Sequence, residues 1–210
     1  MNIMKPKIGI SLRITNAENY TEKRDSLSHD WPILLEKIGF SPVLIPNTLL
    51  NITSFLDEMN LSGLILSGGD NIGDDKERDT TEKQILDYGI SNNLPIMGIC
   101  RGMQVINSYF GGKIQSLENS SHVNNPHMIK VTKYLSIKDN LIQVNSFHNN
   151  IITSNDLGKN LSPFAISQSD NTIEGIVHDK LSILGVMWHP ERKPDSNSIS
   201  LIKKIFRQNN

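Results

Sequence analysis

Short apolar runs rich in β-branched residues alternate with segments of helical spacing through the first half of the chain. In the first helical segment, apolar residues recur every three or four positions before a glycine that ends the pattern: Trp31, Leu34, Leu35, Ile38 and Gly39. The predicted strands are Lys7–Leu12, Pro42–Pro46, Leu61–Ser67 and Leu94–Ile99, and the predicted helices are Asp25–Gly39, Thr53–Met59 and Thr80–Ile90, the last with Thr81 as its candidate cap. Repeated strand–helix units predict a parallel sheet with helices on both faces.

The second half of the chain lacks long helical segments until its end, where Ser196–Arg207 reads as an amphipathic helix. Its predicted strands are Ile129–Lys133, Leu141–Val144, Phe164–Gln168, Thr172–His178 and Ile183–Trp188. We therefore predict an α/β fold with a doubly wound, mostly parallel central sheet and a small additional β region in the second half. The 210 residues allow one such domain, spanning 1–210, and are too few for two.

Charge and cysteine content narrow the functional classes. Lys and Arg total 21 against 22 for Asp and Glu, and no polybasic run indicates a nucleic-acid or membrane partner. The start of the chain lacks the apolar stretch of a signal peptide, and no later run reaches transmembrane length. The single cysteine cannot form an internal disulfide, which fits a cytoplasmic location.

That cysteine, Cys100, stands between a predicted strand and a helical pattern, with Gly98 and Gly102 on either side. Gly-x-nucleophile-x-Gly at a strand-to-helix turn is the elbow geometry, in which glycines let the chain tighten around a strained nucleophile. The positive end of the helix favours the thiolate, and the backbone N–H of Arg101 points where an oxyanion would form. A lone cysteine is usually a small buried apolar residue, but this setting favours a nucleophile.

A thiol nucleophile needs a base, and His189 directly follows an apolar strand. Pro190 holds His189 extended, so Glu191 projects to the same side and can orient the imidazole. The alternative is a strand-end histidine beside an unrelated surface glutamate, and spacing alone does not decide between the two.

Two segments, Gly98–Gln104 and Trp188–Glu191, together resemble the class I glutamine amidotransferase family. The residues of these two motifs resemble in particular the family's branch of stand-alone γ-glutamyl hydrolases, which includes γ-glutamyl-γ-aminobutyrate hydrolase. Further matches to that branch are Ser67–Asp70, Arg78–Asp79 with Glu82, Tyr109–Gly112, Asn145–His148 and Glu174.

The resemblance implies a flavodoxin-like fold, a catalytic triad and no cofactor or metal. The implied triad is Cys100, His189 and Glu191; the implied oxyanion donors are the backbone N–H groups of Gly69 and Arg101; and the implied substrate-binding residues are Gln104, Ser146 and His148. Outside the triad, structural interpretations without a functional role stay open. Ser67–Gly69 could be a plain turn and Gln104 an exposed helix residue. Asn145–Ser146 could be the end of a strand, and Arg78, Asp79 and Glu82 could be charges at the start of a helix.

Three departures from the branch concern the leaving group. Asn149 and Asn150 replace its usual histidine and glutamine, Met187 replaces a usual glutamine, and the segment between Gly69 and Arg78 is short. His122 and His127 lie in a polar stretch and are too isolated to indicate a metal site.

Three functions compete. The first is a free-standing hydrolase that forms a γ-glutamyl thioester on Cys100 and releases glutamate from γ-glutamyl-γ-aminobutyrate, another γ-glutamyl amine or a nucleotide-linked γ-glutamyl phosphoramidate such as γ-glutamyl-CDP-amidate. The second is a glutaminase subunit that delivers ammonia to a separate synthase, its only implied protein partner. The third is a non-enzymatic binding protein. The sequence does not specify the oligomeric state, and a homodimer stays open.

Overall fold

The computed structural model describes residues 4–117, 122–132 and 141–207, which form thirteen strands and five α-helices. In chain order the strands are β1 (Lys7–Ser11), β2 (Arg13–Asn16), β3 (Lys23–Ser26), β4 (Ser41–Ile45), β5 (Gly63–Leu66), β6 (Ile96–Ile99), β7 (Gln115–Ser116), β8 (His127–Val131), β9 (Leu141–Val144), β10 (Asn150–Ile151), β11 (Leu161–Ser167), β12 (Ile173–His178) and β13 (Ile183–Val186). The helices are α1 (Asp30–Ile38), α2 (Ile52–Met59), α3 (Lys76–Ser91), α4 (Arg101–Tyr109) and α5 (Ser196–Arg207).

Nine strands form one sheet in the order β4-β1-β5-β6-β13-β12-β11-β8-β9. The first five are parallel, and the last four continue the same sheet as antiparallel strands. Strand β6 lies between β5 and β13, with Leu66, Gly98 and Gly185 in register. Because carboxyl ends of parallel strands meet at one edge, the segments after β5, β6 and β13 converge there.

Helices cover both faces of the sheet, as predicted. Residues of α1 and α5, among them Trp31 and Leu201, pack in the core on one face. Residues of α2, α3 and α4, among them Leu56, Leu86 and Met103, pack in the core on the other. The α/β doubly wound class is therefore confirmed, with the second-half strands extending the central sheet itself.

Glycines bring α4 into direct contact with the strands beneath it. A Cβ on Gly102 would lie 2.1 Å from the carbonyl oxygen of Leu66, and a Cβ on Gly98 would lie 2.5 Å from the carbonyl of Gly102. Only residues without a side chain allow this approach. The first turn of α4 is thereby held against the ends of β5 and β6.

The first predicted helix begins later than expected. It starts at Asp30 instead of Asp25, because the preceding residues form β3, which pairs with β2 in an antiparallel hairpin. The Asp25 carboxylate accepts hydrogen bonds from the backbone N–H and the side-chain amide of Asn47, at 2.9 and 2.6 Å. That long-range contact outweighs the local helical pattern.

Helix α3 begins earlier than expected, at Lys76 instead of Thr80, with Asp75 at its N-cap. Thr81 is therefore inside the helix and is not its cap; its hydroxyl donates to the carbonyl oxygen of Asn47 at 3.0 Å. The strand predicted at Ile129–Lys133 is β8, and Lys133 lies outside the described residues.

The longest helix of the described residues, α3, has 16 residues. Within the described ranges, no helix combines the length and apolar content needed to cross a bilayer.

Candidate active site

Cys100 occupies a strained turn between β6 and α4. Its backbone has φ 51° and ψ −103°, a combination that residues with a side chain rarely adopt. The turn is held from both sides: the Cys100 N–H donates to the carbonyl of Val186 at 2.7 Å, and the Cys100 carbonyl accepts from the N–H of Gln104 at 3.2 Å. This strand–turn–helix geometry matches the elbow expected from the flanking glycines.

His189 is paired with Glu191 and clamped by Asn145. The Nδ1 atom of His189 lies 2.7 Å from Oε1 of Glu191, and both side chains are buried. The side-chain amide of Asn145 donates to the carbonyl of His189 and accepts from its N–H, both at 2.8 Å. A carboxylate on Nδ1 leaves Nε2 as the nitrogen that could accept a proton, which is the arrangement of a general base in a triad.

Cys100 and the imidazole of His189 both lie close to Gly68. A Cβ on Gly68 would lie 2.6 Å from Cε1 of His189 and 3.5 Å from Cβ of Cys100. Both side chains therefore lie against the same glycine, at the edge where β5, β6 and β13 end. The three residues predicted as a triad occupy one site.

Burial favours the protonated form of the Cys100 thiol. Burial raises the pKa of Cys100 to about 12; a hydrogen bond from the Arg101 N–H lowers that pKa, while the carboxylates of Glu191 and Glu174 raise it. The helix terminus was expected to favour the thiolate, but desolvation outweighs it here. Chemistry at this cysteine therefore requires a base to take its proton.

Arg78 holds the loop that contains Gly68 and Gly69. Its guanidinium is buried, and one nitrogen donates to the carbonyls of Ser67 and Gly68, each at 3.0 Å. Gly69 has φ 110°, a conformation that favours glycine. Arg78 thus fixes the loop predicted to supply one oxyanion donor.

Glu82 links that loop to the elbow. Its fully buried carboxylate accepts from Nε of Arg78 at 3.0 Å and from the Ser11 hydroxyl at 2.9 Å, and it also contacts the guanidinium of Arg101. Asp79 pairs with Arg101 at 2.5 Å. Burial lowers the pKa of Arg78 and of Arg101 to about 10, so both remain charged at neutral pH. Arg78 and Glu82 are therefore buried structural ions, not surface charges at a helix start.

We expect Glu82→Gln to lower the free energy of unfolding by about 3–5 kcal/mol, because it leaves two buried guanidiniums without their shared counter-charge. Chemical denaturation followed by circular dichroism measures the change. Glu58→Gln on the exposed face of α2 is the matched control and should stay within about 0.5 kcal/mol of the parent. Equal stability of the two variants would contradict this role for Glu82.

The three predicted substrate-binding residues are buried close to one another. The Gln104 side chain accepts from the Asn150 amide at 3.4 Å, and the Ser146 hydroxyl donates to the carbonyl of His122 at 2.5 Å. Nδ1 of His148 is 2.9 Å from the carbonyl of Asn150. Polar groups of the protein thus already engage all three side chains.

Two clefts adjoin His189. One, of about 250 Å³, is lined by the Gly68–Gly69 loop and by Arg13; the other, of about 440 Å³, is lined by Phe147, Trp188 and Lys193. Arg192 lines both, with its guanidinium 4.1 Å from the centre of the Phe147 ring. Sequence reasoning missed Arg192, although its position directly after Glu191 was a usable signal.

Three histidines surround Glu174. His122, His127 and His148 each place a ring nitrogen within 3.7 Å of Glu174 Oε1. The expectation that His122 and His127 are isolated is wrong, because both place a ring nitrogen close to the carboxylate of Glu174 on β12.

The sequence model of the family described as glutamine amidotransferase class-I matches residues 22–209. The γ-glutamyl-CDP-amidate hydrolase of Campylobacter jejuni is 35% identical over 208 residues, covering 95% of this chain and 96% of that protein. A GMP synthase (glutamine-hydrolysing) subunit of Methanosphaera stadtmanae is 33% identical over 161 residues, covering 75% of this chain and 78% of that protein.

The crystal structure of a glutamine amidotransferase from Thermotoga maritima has the same fold, with a TM-score of 0.70 at 15% identity, covering 97% of this chain and 99% of that one. These matches confirm the resemblance drawn from the elbow and the Trp188–Glu191 segment, and with it the predicted class of cysteine-dependent amide hydrolase. The chain belongs to the class I glutamine amidotransferase family.

Proposed function

We propose that this chain is a free-standing hydrolase that cleaves a γ-glutamyl amide bond through a γ-glutamyl thioester on Cys100. The observation that carries the proposal is the contact of Cys100 and the His189–Glu191 pair with one glycine, Gly68. The relative named as a γ-glutamyl-CDP-amidate hydrolase supports it, because the identity extends over nearly the whole of both chains.

In the proposed reaction, His189 accepts the thiol proton and the sulfur of Cys100 attacks the γ-carbonyl carbon. The backbone N–H groups of Arg101 and Gly69 stabilise the negative charge on the carbonyl oxygen. His189 then delivers its proton to the leaving nitrogen as the C–N bond breaks. The same histidine activates water, which hydrolyses the thioester and releases glutamate, while Glu191 stabilises the imidazolium in both steps.

For the leaving group, we infer an anionic phosphoramidate. Arg192 lines both clefts beside His189 and Lys193 lines the larger one, while Arg13 in the smaller cleft is paired with Asp70 at 2.5 Å. Guanidinium groups bind phosphate oxygens through paired, charge-assisted hydrogen bonds. The name of the Campylobacter relative agrees with such a substrate.

The second candidate is a glutaminase subunit that supplies ammonia to a synthase. It is favoured by the 33% identity to a GMP synthase subunit, which covers three quarters of this chain. The two candidates differ in the substrate that the isolated chain prefers.

We expect the purified chain alone to hydrolyse a γ-glutamyl nucleotide phosphoramidate with a kcat/KM at least tenfold above that for glutamine. γ-Glutamyl-γ-aminobutyrate is the third substrate in the comparison. Arg192→Gln should reduce kcat/KM for the phosphoramidate about tenfold more than for glutamine, because a charge-assisted hydrogen bond contributes about 1.5–3 kcal/mol. Glutamate release measures all three reactions.

Arg24→Gln is the matched control, since Arg24 is an exposed arginine paired with Glu22, outside both clefts. It should change neither kcat/KM nor the order of substrates. Glutamine preferred tenfold or more over the other two would overturn the hydrolase proposal and favour the glutaminase subunit. Equal losses on every substrate in Arg192→Gln would refute its contact with the leaving group.

A further inference from the structure

We propose that His122, His127, His148 and Glu174 form a binding site for a divalent transition-metal ion, with Zn²⁺ as the best fit. This metal site, as we call the four residues, is distinct from the cysteine chemistry proposed above, and its test does not depend on hydrolytic activity.

Four potential ligand atoms converge on a small volume. Oε1 of Glu174 lies 3.7 Å from Nδ1 of His122, 3.4 Å from Nε2 of His127 and 3.6 Å from Nε2 of His148. A tetrahedral Zn²⁺ with bonds of 2.0–2.2 Å holds its ligand atoms roughly 3.3–3.5 Å apart. The Glu174 contacts are within a few tenths of an ångström of that spacing; the ligand atoms of His122, His127 and Glu174 as a set lie within 4.8 Å of one another, so the histidine rings would have to close around a bound ion.

These four atoms are buried without a hydrogen-bond partner among the residues that the structure describes. The side chains of His122, His148 and Glu174 are at most 3% exposed. An unpaired polar atom in such a position costs free energy, which a bound cation would remove.

In His122 and His148, the hydrogen bond of one ring nitrogen shows that the other ring nitrogen faces the metal site. Nε2 of His122 lies 2.6 Å from the Asp170 carboxylate, and Nδ1 of His148 lies 2.9 Å from the carbonyl oxygen of Asn150. Both partners are acceptors, so these nitrogens carry the hydrogen. With neutral rings, Nδ1 of His122 and Nε2 of His148 would direct lone pairs at the Glu174 carboxylate, so a cation, either a metal ion or an added proton, has to lie between them.

The same contacts match the outer shell of known metal sites, in which each ligand histidine donates its other N–H to a carboxylate or a backbone carbonyl. The His127 ring also has a hydrogen bond with the backbone of Asn125.

An ion in this position would join segments that support the proposed active site. The backbone carbonyl of His122 accepts from Ser146, His148 follows the Asn145 clamp on His189, and Glu174 lies on β12 beside β13. The ion would also offset the negative charge of Glu174, which raises the pKa of Cys100. We therefore assign it the role of fixing these segments, with no part in bond cleavage.

The test uses untagged Cys100→Ala protein, so that the thiol cannot contribute a ligand. After dialysis against a chelator, we expect Zn²⁺ to bind at one equivalent per chain by calorimetry and elemental analysis, and to raise the melting temperature. Co²⁺ in its place should give the intense visible absorption of a four-coordinate site, without a thiolate charge-transfer band.

His127→Gln and Glu174→Gln in the same background should each weaken Zn²⁺ binding at least 100-fold. His29→Gln, which changes an exposed histidine outside the metal site, is the matched control and should bind as the parent does. Failure of the folded Cys100→Ala protein to take up one equivalent would overturn the proposal and favour protons as the bridging cations. Unchanged affinity in both substituted proteins would place the bound ion elsewhere and refute the assignment equally.

Discussion

Cys100→Ala is expected to have no measurable hydrolytic activity and an unchanged fold. Alanine removes the sulfur that forms the proposed thioester, whereas Cys100 is the start of a helix whose packing depends on Gly98 and Gly102. Cys100→Ser should be nearly as inactive, because a hydroxyl is a weaker nucleophile and holds its proton more tightly. Activity is measured as glutamate release, and the fold by circular dichroism.

Mass spectrometry of the parent protein mixed with substrate should detect a glutamyl adduct on the peptide that contains Cys100, wherever thioester hydrolysis is slower than its formation. Ser108→Ala, an exposed change on the same helix, is the control and should retain the parent rate. Undiminished hydrolysis by Cys100→Ala would refute the covalent mechanism.

His189→Ala is expected to lower kcat by about 10²–10⁴-fold, the usual contribution of general acid–base catalysis. Glu191→Ala should cost less, because Glu191 orients the imidazole at 2.7 Å and stabilises its cation but carries no proton itself. Steady-state kinetics with a saturating γ-glutamyl substrate measures both losses.

His178→Ala is the comparison for loss of a buried histidine remote from Cys100; Nδ1 of His178 accepts from the backbone N–H groups of Lys180 and Leu181. A larger loss in Glu191→Ala than in His189→Ala would contradict the assigned roles. His148→Ala should raise KM or weaken metal binding, with a smaller effect on kcat than His189→Ala has. A loss of kcat as large as that of His189→Ala would put in question the assignment of His189 as the general base.

The elbow and the extended backbone at His189 were predictable because each is encoded locally. Glycines on both sides of Cys100 and a proline after His189 restrict the backbone within a few residues, whereas spacing left open whether Glu191 pairs with His189, which the structure shows at 2.7 Å. The order of strands and helices was predictable for the same reason, since apolar periodicity is a local signal. Where a distant partner decides, as for Asp25 and Asn47, the local pattern placed a helix boundary incorrectly.

The buried ion network and the metal site could not be predicted in this way. Arg78 and Glu82 can be interpreted from the sequence as charges at a helix start, and no periodicity marks a buried arginine such as Arg101. The four residues of the metal site come from separate segments between positions 122 and 174, which only the antiparallel half of the sheet brings together. Their polar surroundings in the sequence resemble an exposed loop, because the burial comes from other strands.

Burial of the thiol also provides chemical protection. Peroxides and disulfides react with thiolates far faster than with thiols, and the Cys100 pKa of about 12 leaves almost no thiolate between turnovers. The chain has no second cysteine that could resolve a sulfenic acid as an internal disulfide. In the proposed mechanism the sulfur is sensitive to oxidation only while His189 holds its proton, so oxidative inactivation should depend on turnover rather than on time alone.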